Sequence, residues 1–231
     1  MLKKWEDLPE SLRIPEVKPY YDVLNKKRLS LFFKRAFDFC VALIMTVILI
    51  IPMAVIAIWI KCDSKGPVFY MQERVTTYGK HFMIHKFRTM VDKADKMGSA
   101  VTVRNDLRVT EVGKKLRNLR LDELPQLFDV LSGNMSFVGT RPEVTKYVDK
   151  YEPEYMATLL LPAGITSEAS IRYKDEYELL SAADDVDRVY MEEVLPEKMK
   201  WNLKSVKEFS LGSEIATMFR TVLAVLGKEY K

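Results

Sequence analysis

At 231 residues the chain is long enough for one substantial domain, or one domain with appendages. Its 48% hydrophobic and 29% charged residues are those of an ordinary globular protein, and a net charge of +4 permits contact with anionic lipid or phosphates without calling for nucleic acid. The aromatic–basic interleaving used by single-strand binders is missing, which argues against a nucleic-acid partner.

Residues 1–30 are polar and proline-punctuated and read as a cytoplasmic tail that is ordered only in part. The stretch FCVALIMTVILIIPMAVIAIWI at 39–60 then runs without a charge. At about 1.5 Å per residue it can cross a hydrocarbon core. About thirty-eight residues precede it, so it does not read as a cleavable signal peptide. Two features argue against a simple span. Pro52 removes a helix hydrogen bond and predicts a break. Both flanks are basic (Lys26, Lys27, Arg28, Lys34 and Arg35 before, Lys61 and Lys65 after), where a spanning segment should be asymmetric. The residues favour a re-entrant helix–break–helix over 31–62 with both ends cytoplasmic, and leave a kinked span as the alternative. Cys40 and Cys62 would sit about 30 Å apart on such a helix, beyond disulfide reach, which suits a reducing compartment.

Gly66-Pro67 marks a turn. VFYMQERV and HFMIHKF follow as two strands joined around Tyr78-Gly79-Lys80, a hairpin. His81 and His85 lack the adjacent glutamate of a zincin and read as strand residues, not metal ligands. EVGKKLRNL is a short helix, and a second begins near Asp122. Pro125 is tolerated only in the first turn, which puts Asp122 and Glu123 at that helix start. Ser132-Gly133-Asn134 ends it. Further breaks are expected at 140–142 and at LPAGIT, with helices before and after. Near the C-terminus Ile215, Met218, Phe219, Val222 and Leu226 recur at helical spacing, on a helix packed either on the core or at a membrane interface.

Adjacent carboxylates at a helix start are commonly a capping arrangement. Neighbours on a helix point about 100° apart, which places them poorly as opposed glycosidase carboxylates but allows one to attack while the other holds a metal. The basic residues Lys86, Arg88, Arg117, Arg120 and Arg141 add a clamp of the kind a charged diphosphate uses.

With these residues in hand the chain resembles a known family. KRAFD at 34–38, GPVFYMQERV at 66–75, KFRTM at 86–90, LDELPQLFDVLSGNMSFVGTRPE at 121–143 and PAGIT at 162–166 follow the pattern of the bacterial sugar transferases, the monotopic phosphoglycosyl transferases, over roughly residues 32–228. The resemblance implies a helix-rich α/β fold with a small β-hairpin, in a monotopic protein with a tail (1–30), a re-entrant membrane helix (31–62) and a cytoplasmic catalytic domain (63–231). It implies transfer of a sugar 1-phosphate from a UDP-sugar to undecaprenyl phosphate with release of UMP. This would be the first membrane step of surface glycan assembly, on the cytoplasmic face of a bacterial inner membrane and in contact with inner-leaflet lipid. Asp122 would be the nucleophile and Glu123 the ligand of Mg²⁺. Lys86, Arg117 and Arg141 would serve the phosphates, Pro142 would present Arg141, Arg172 would contact the nucleotide, and Pro52 would break the membrane helix. A homodimer is compatible with this reading. The segments 170–180 and 190–203 are similar to a subgroup of small transferases. The chain departs from the family pattern at Ile51, Thr76, Arg120, Asp129 and Thr140, none of which is a proposed reactive group.

Overall fold

The computed structural model describes residues 2–94, 106–173, 180 and 185–226. The N-terminal stretch is packed, not the partly ordered tail expected from its polarity. Two 3-10 turns, Trp5–Asp7 and Glu10–Leu12, lead into α1 (Lys18–Asn25). Their apolar residues fall on one side. Leu8, Leu12, Val17, Tyr20, Tyr21 and Leu24 are buried against Leu159 and Leu160 of a 3-10 stretch, Pro153–Leu160, and against Leu203, Val206 and Phe209. Tyr20 donates to Glu154 at 2.5 Å and Lys27 to the Phe209 carbonyl.

The apolar block lies within α2 (Arg28–Asp63), and an 18-residue stretch of it has mean hydropathy 3.0 with only 17% buried. The expected helix–break–helix does not form: the 36 residues are one continuous helix with Pro52 inside it. Proline costs the helix the bond to the Ile48 carbonyl. Packing on both sides of that gap holds the rod together. Leu31, Lys34, Asp38, Ala42, Met53, Ile56 and Ile60 are buried, and Met45 and Leu49 between them are partly so. Spacings of three and four make this one stripe along about 44 Å of helix. The opposite side, including Leu43, Val47, Ile48, Ile51, Val55 and Ile58, is exposed.

Polar anchors fix α2 at both ends. Lys34 donates to the Val138 carbonyl at 3.0 Å and pairs with Glu214, while Asp38 accepts from Ser136 at 2.7 Å. Arg35 reaches the carbonyls of Val130 (2.7 Å) and Leu131 (3.1 Å). At the far end Arg88 donates to the Ser64 and Lys65 carbonyls at 2.7 and 2.6 Å. It serves as a helix-end brace, its guanidinium bonded to Ser64 and Lys65.

The hairpin forms as expected. β1 (Phe69–Val75) pairs antiparallel with β2 (His81–Phe87) in the register Tyr70↔Lys86 and Arg74↔Phe82. Its turn uses left-handed Tyr78 and Gly79. α3 (Glu111–Asn118) is capped by Thr110, whose hydroxyl accepts from the Gly113 N–H at 3.0 Å. α4 (Gln126–Ser132) stops at Gly133, with φ +84°.

LPAGIT is not only a break. Met135–Val138 (β3) and Ala163–Thr166 (β4) form a two-stranded parallel sheet, Met135 opposite Ala163. Gly164 is required there, since a Cβ would lie 2.3 Å from the Gly139 carbonyl oxygen. Further on come α5 (Thr145–Val148), α6 (Glu168–Arg172) and α7 (Val186–Val189). A π turn, Tyr190–Val194, then joins α7 to α8 (Leu195–Lys207). The last helix, α9 (Leu211–Val225), begins with a Ser210–Ser213 capping box. It packs on the body through buried Thr217 and partly buried Met218, as the core alternative expects, and exposes Ile215, Phe219, Val222 and Val225 on its other side.

Candidate active site

Asp122 and Glu123 do not open α4. They occupy a separate 3-10 turn, Leu121–Glu123, one step before it. Arg120 enters that turn in the left-handed region (φ +54°), and Pro125 sits at the N-cap of α4 with φ −61°. Pro125, which lacks an N–H, suits this junction. The turn is pressed between β2 and α3, and both carboxylates are largely buried, Asp122 at 9% exposure.

Two segments converge on Glu123. Lys86 on β2 donates to Oε1 at 3.0 Å, and Arg141, on the link after β3, donates to the same oxygen at 2.7 Å. Oε2 accepts from neither. Burial pushes the Glu123 carboxyl upward, but Arg141 and Lys86 outweigh it and hold the group well below the usual carboxylate range. Asp122 goes the other way. Burial raises its carboxyl first and the Glu123 charge adds to this, against the opposing pull of Lys86, Arg117 and Arg120. Burial also lowers the Lys86 ammonium and the Arg117 guanidinium. Two adjacent carboxylates thus have unlike environments, one neutralised by two cations and one desolvated.

Of the residues singled out from the sequence, Asp122, Glu123, Lys86 and Arg141 come together. Arg117 is fixed by donating Nε to the Thr89 hydroxyl at 2.8 Å, and its charge acts on Asp122. Pro142 turns its carbonyl to Arg74, Nη1 at 3.1 Å. Arg172 belongs to another group, donating to Glu168 at 3.0 Å and lying 3.8 Å over the Trp201 ring. Part of the segment quoted with it, 174–179, lies outside the described residues. Pro52 lies within α2, as above.

His85 pairs with Asp129 through both its N–H (3.0 Å) and its ring Nδ1 (2.8 Å), so Asp129 is explained as a partner for β2. Thr76 accepts from the Ala163 N–H at 3.1 Å and donates to the Asn134 carbonyl at 2.6 Å, joining the hairpin to the parallel sheet. Sequence reasoning did not single out Arg74, Glu143 or Tyr190. Glu143 is buried and accepts from the Tyr190 hydroxyl at 2.5 Å. The only hints were the place of Arg74 in the QER run, of Glu143 in RPE, and of Tyr190 at the head of the 190–203 segment.

Among the described residues no three His, Cys, Asp or Glu side chains gather to form a metal cage. A magnesium ion commonly takes one or two carboxylates and completes its shell with water and substrate phosphate. Glu123, whose Oε2 lies outside the Lys86 and Arg141 contacts, fits that mode. Chemically the site offers a desolvated carboxylate beside a cationic wall, which suits attack on a phosphorus centre whose leaving group is an anion.

A family model described as bacterial sugar transferase matches residues 29–228. A UDP-N-acetylgalactosamine-undecaprenyl-phosphate N-acetylgalactosaminephosphotransferase of Aeromonas hydrophila is 34% identical over 84% of this chain and 44% of its own length. An undecaprenyl-phosphate galactose phosphotransferase of Salmonella typhimurium is 34% identical over 88% of this chain and 42% of its own. A UDP-glucose:undecaprenyl-phosphate glucose-1-phosphate transferase of Caulobacter vibrioides is 34% identical over 84% and 69%. The chain thus spans less than half the length of the first two.

Proposed function

This chain belongs to the bacterial sugar transferase family, and from that premise we propose that it transfers a sugar 1-phosphate from a UDP-sugar to undecaprenyl phosphate and releases UMP. The observation that carries the reading is the unequal treatment of the carboxylate pair. Lys86 and Arg141 converge on Glu123 and leave Asp122 desolvated next to it. In the proposed first step an Asp122 oxygen attacks the phosphorus attached to the sugar. The bond to the bridging oxygen breaks, and that oxygen leaves with its electron pair on UMP. In the second, a phosphate oxygen of the lipid attacks the same phosphorus, the aspartyl bond breaks, and Asp122 is restored. Lys86, Arg117 and Arg141 meet the charge of the diphosphate and of the departing UMP, the main demand of such transfers. Glu123 would hold Mg²⁺, which when bound neutralises further diphosphate charge.

We place the protein as a monotopic one on the cytoplasmic leaflet of the inner membrane, a reading that the packing of α2 supports. A spanning helix carries its ends to opposite faces of a core about 30 Å thick. Here Lys34 and Asp38 near one end and Ile56 and Ile60 near the other are seated on the same globular body. The exposed apolar side of α2, with that of α9, is left for lipid. A site held at the interface can meet an acceptor whose tail never leaves the bilayer. The three relatives are named for three different sugars, so the donor is proposed only as a UDP-linked sugar.

The test is purified protein in lipid, a panel of UDP-sugars, and UMP release as the readout. A phosphosugar labelled on the donor should be trapped on the wild-type protein when the lipid acceptor is withheld. Asp122→Asn should form neither adduct nor UMP, and full UMP release by that variant would remove the covalent route.

A further inference from the structure

We propose that Arg74 is a positioning residue for Arg141, acting through the Pro142 carbonyl, and that Glu143 and Tyr190 hold Arg74 in place; this rests on the transfer reading given above. Arg141 lies on a link with no regular structure of its own, between β3 and α5. Upstream the link is tied to the parallel sheet, the Gly139 N–H donating to Thr166 at 3.0 Å and the Gly164 N–H to Thr140 at 2.9 Å. Downstream it is tied to β1. The Val75 N–H donates to the Glu143 carbonyl at 3.0 Å, and Arg74 Nη1 donates to the Pro142 carbonyl at 3.1 Å. Proline has no N–H, so its carbonyl is its single backbone handle. Arg74 takes that handle one residue away from the guanidinium that meets Glu123.

Arg74 is itself constrained. Its Nη2 donates to Gln72 at 2.6 Å, and its Nη1 lies 3.9 Å from Glu143 Oε2. Glu143, 7% exposed, accepts on its other oxygen from Tyr190, 5% exposed. Tyr190 opens the π turn between α7 and α8, a departure from α-helical geometry of a kind frequent at functional sites. Apolar residues could fill this place at lower desolvation cost. What the polar chain adds is direction, since each member fixes the next.

The hairpin gives the arrangement its use. Arg74 opposite Phe82 and Tyr70 opposite Lys86 place Arg74 and Lys86 on one face of the hairpin. The same two strands therefore carry the cation that touches Glu123 directly and the cation that sets the loop of the other. Small misplacements of a phosphate-binding group cost large factors in rate.

A double-mutant cycle on UMP release, run with the full chain in lipid, decides the matter. Arg74→Gln is expected to lower kcat about 10- to 100-fold, and Arg74→Lys, which keeps one donor for the Pro142 carbonyl, to recover part of that. If Arg74 acts through Arg141, the double variant Arg74→Gln/Arg141→Gln matches Arg141→Gln alone to within about twofold. A loss equal to the product of the two single losses overturns the assignment, because a merely structural role adds independently. Should Arg74→Gln fail to yield folded protein, Tyr190→Phe deletes one hydroxyl and serves instead. Its loss, expected at about 3- to 10-fold, must vanish in the Arg141→Gln background, and persistence there overturns the proposal equally. A wild-type chain that releases no UMP from any donor overturns the transfer reading and this assignment with it. An active wild type with an additive cycle overturns this assignment alone.

Discussion

Replacing Glu123 by glutamine keeps the shape of the side chain and deletes its charge. In the wild type that charge faces Lys86 Nζ at 3.0 Å and Arg141 Nη2 at 2.7 Å on one oxygen. Breaking a fully buried pair by removing one partner costs about 3–5 kcal/mol. Here the cationic side chains are 21% and 30% exposed, and solvent screens part of what is lost, so about 2 kcal/mol is the expected cost of Glu123→Gln. For a chain of this length that lowers Tm by about 4–8 °C. The pH dependence has a definite sign. The folded carboxyl is held far below its ordinary value of 4.5, so its stabilisation is complete above that pH and is lost as pH falls toward the folded value. The gap between wild type and variant should stay constant from pH 7 to about pH 5.5 and narrow steadily on further acidification. Thermal melts of both proteins in the same detergent across pH 3–7 would measure it. Equal melting temperatures at pH 7, or a gap that grows on acidification, would refute the reasoning that Glu123 is the neutralising centre of the two cations.

Asp122→Asn should show the reverse in stability. Burial disfavours the Asp122 carboxylate, so the wild type loses stability as pH rises from its ordinary 3.8 through the raised folded value. The inactive asparagine variant is therefore expected to melt above the wild type at pH 7, and a lower Tm would count against a desolvated carboxylate. Gly113→Ala places a Cβ 2.0 Å from the Thr89 carbonyl oxygen. It should cost about 1–3 kcal/mol in chemical denaturation and lower activity further, because Thr89 also holds Arg117; a variant as stable as wild type would contradict the contact. For topology, Cys40 and Cys62 are first changed to serine, and single cysteines are then placed near residues 30 and 66. Both should resist an impermeant thiol reagent in intact cells, and labelling of one alone would mean that α2 spans the membrane.

The hairpin, α3 and the glycine stop of α4 were legible in the sequence because each rests on neighbours a few residues apart. Alternation, a threonine cap and a left-handed glycine are local signals. The position of the carboxylate pair was legible too, although a proline at the N-cap of α4 proved compatible with a separate turn before the helix. The packed N-terminal segment, the β3–β4 pairing and the uninterrupted path of α2 through Pro52 were not. Each depends on surfaces contributed from far along the chain: Leu159 and Phe209 for the first, Ala163 meeting Met135 for the second, and a body seated on both sides of Pro52 for the third. The same holds for the site. By itself the sequence determined that Asp122 and Glu123 stand side by side, with basic residues elsewhere in the chain. Only the tertiary structure decided that Lys86 and Arg141 both close on Glu123 while Arg88 and Arg172 turn elsewhere. Burial and charge neutralisation depend on which distant groups share a few ångströms, and no local pattern of residues records that.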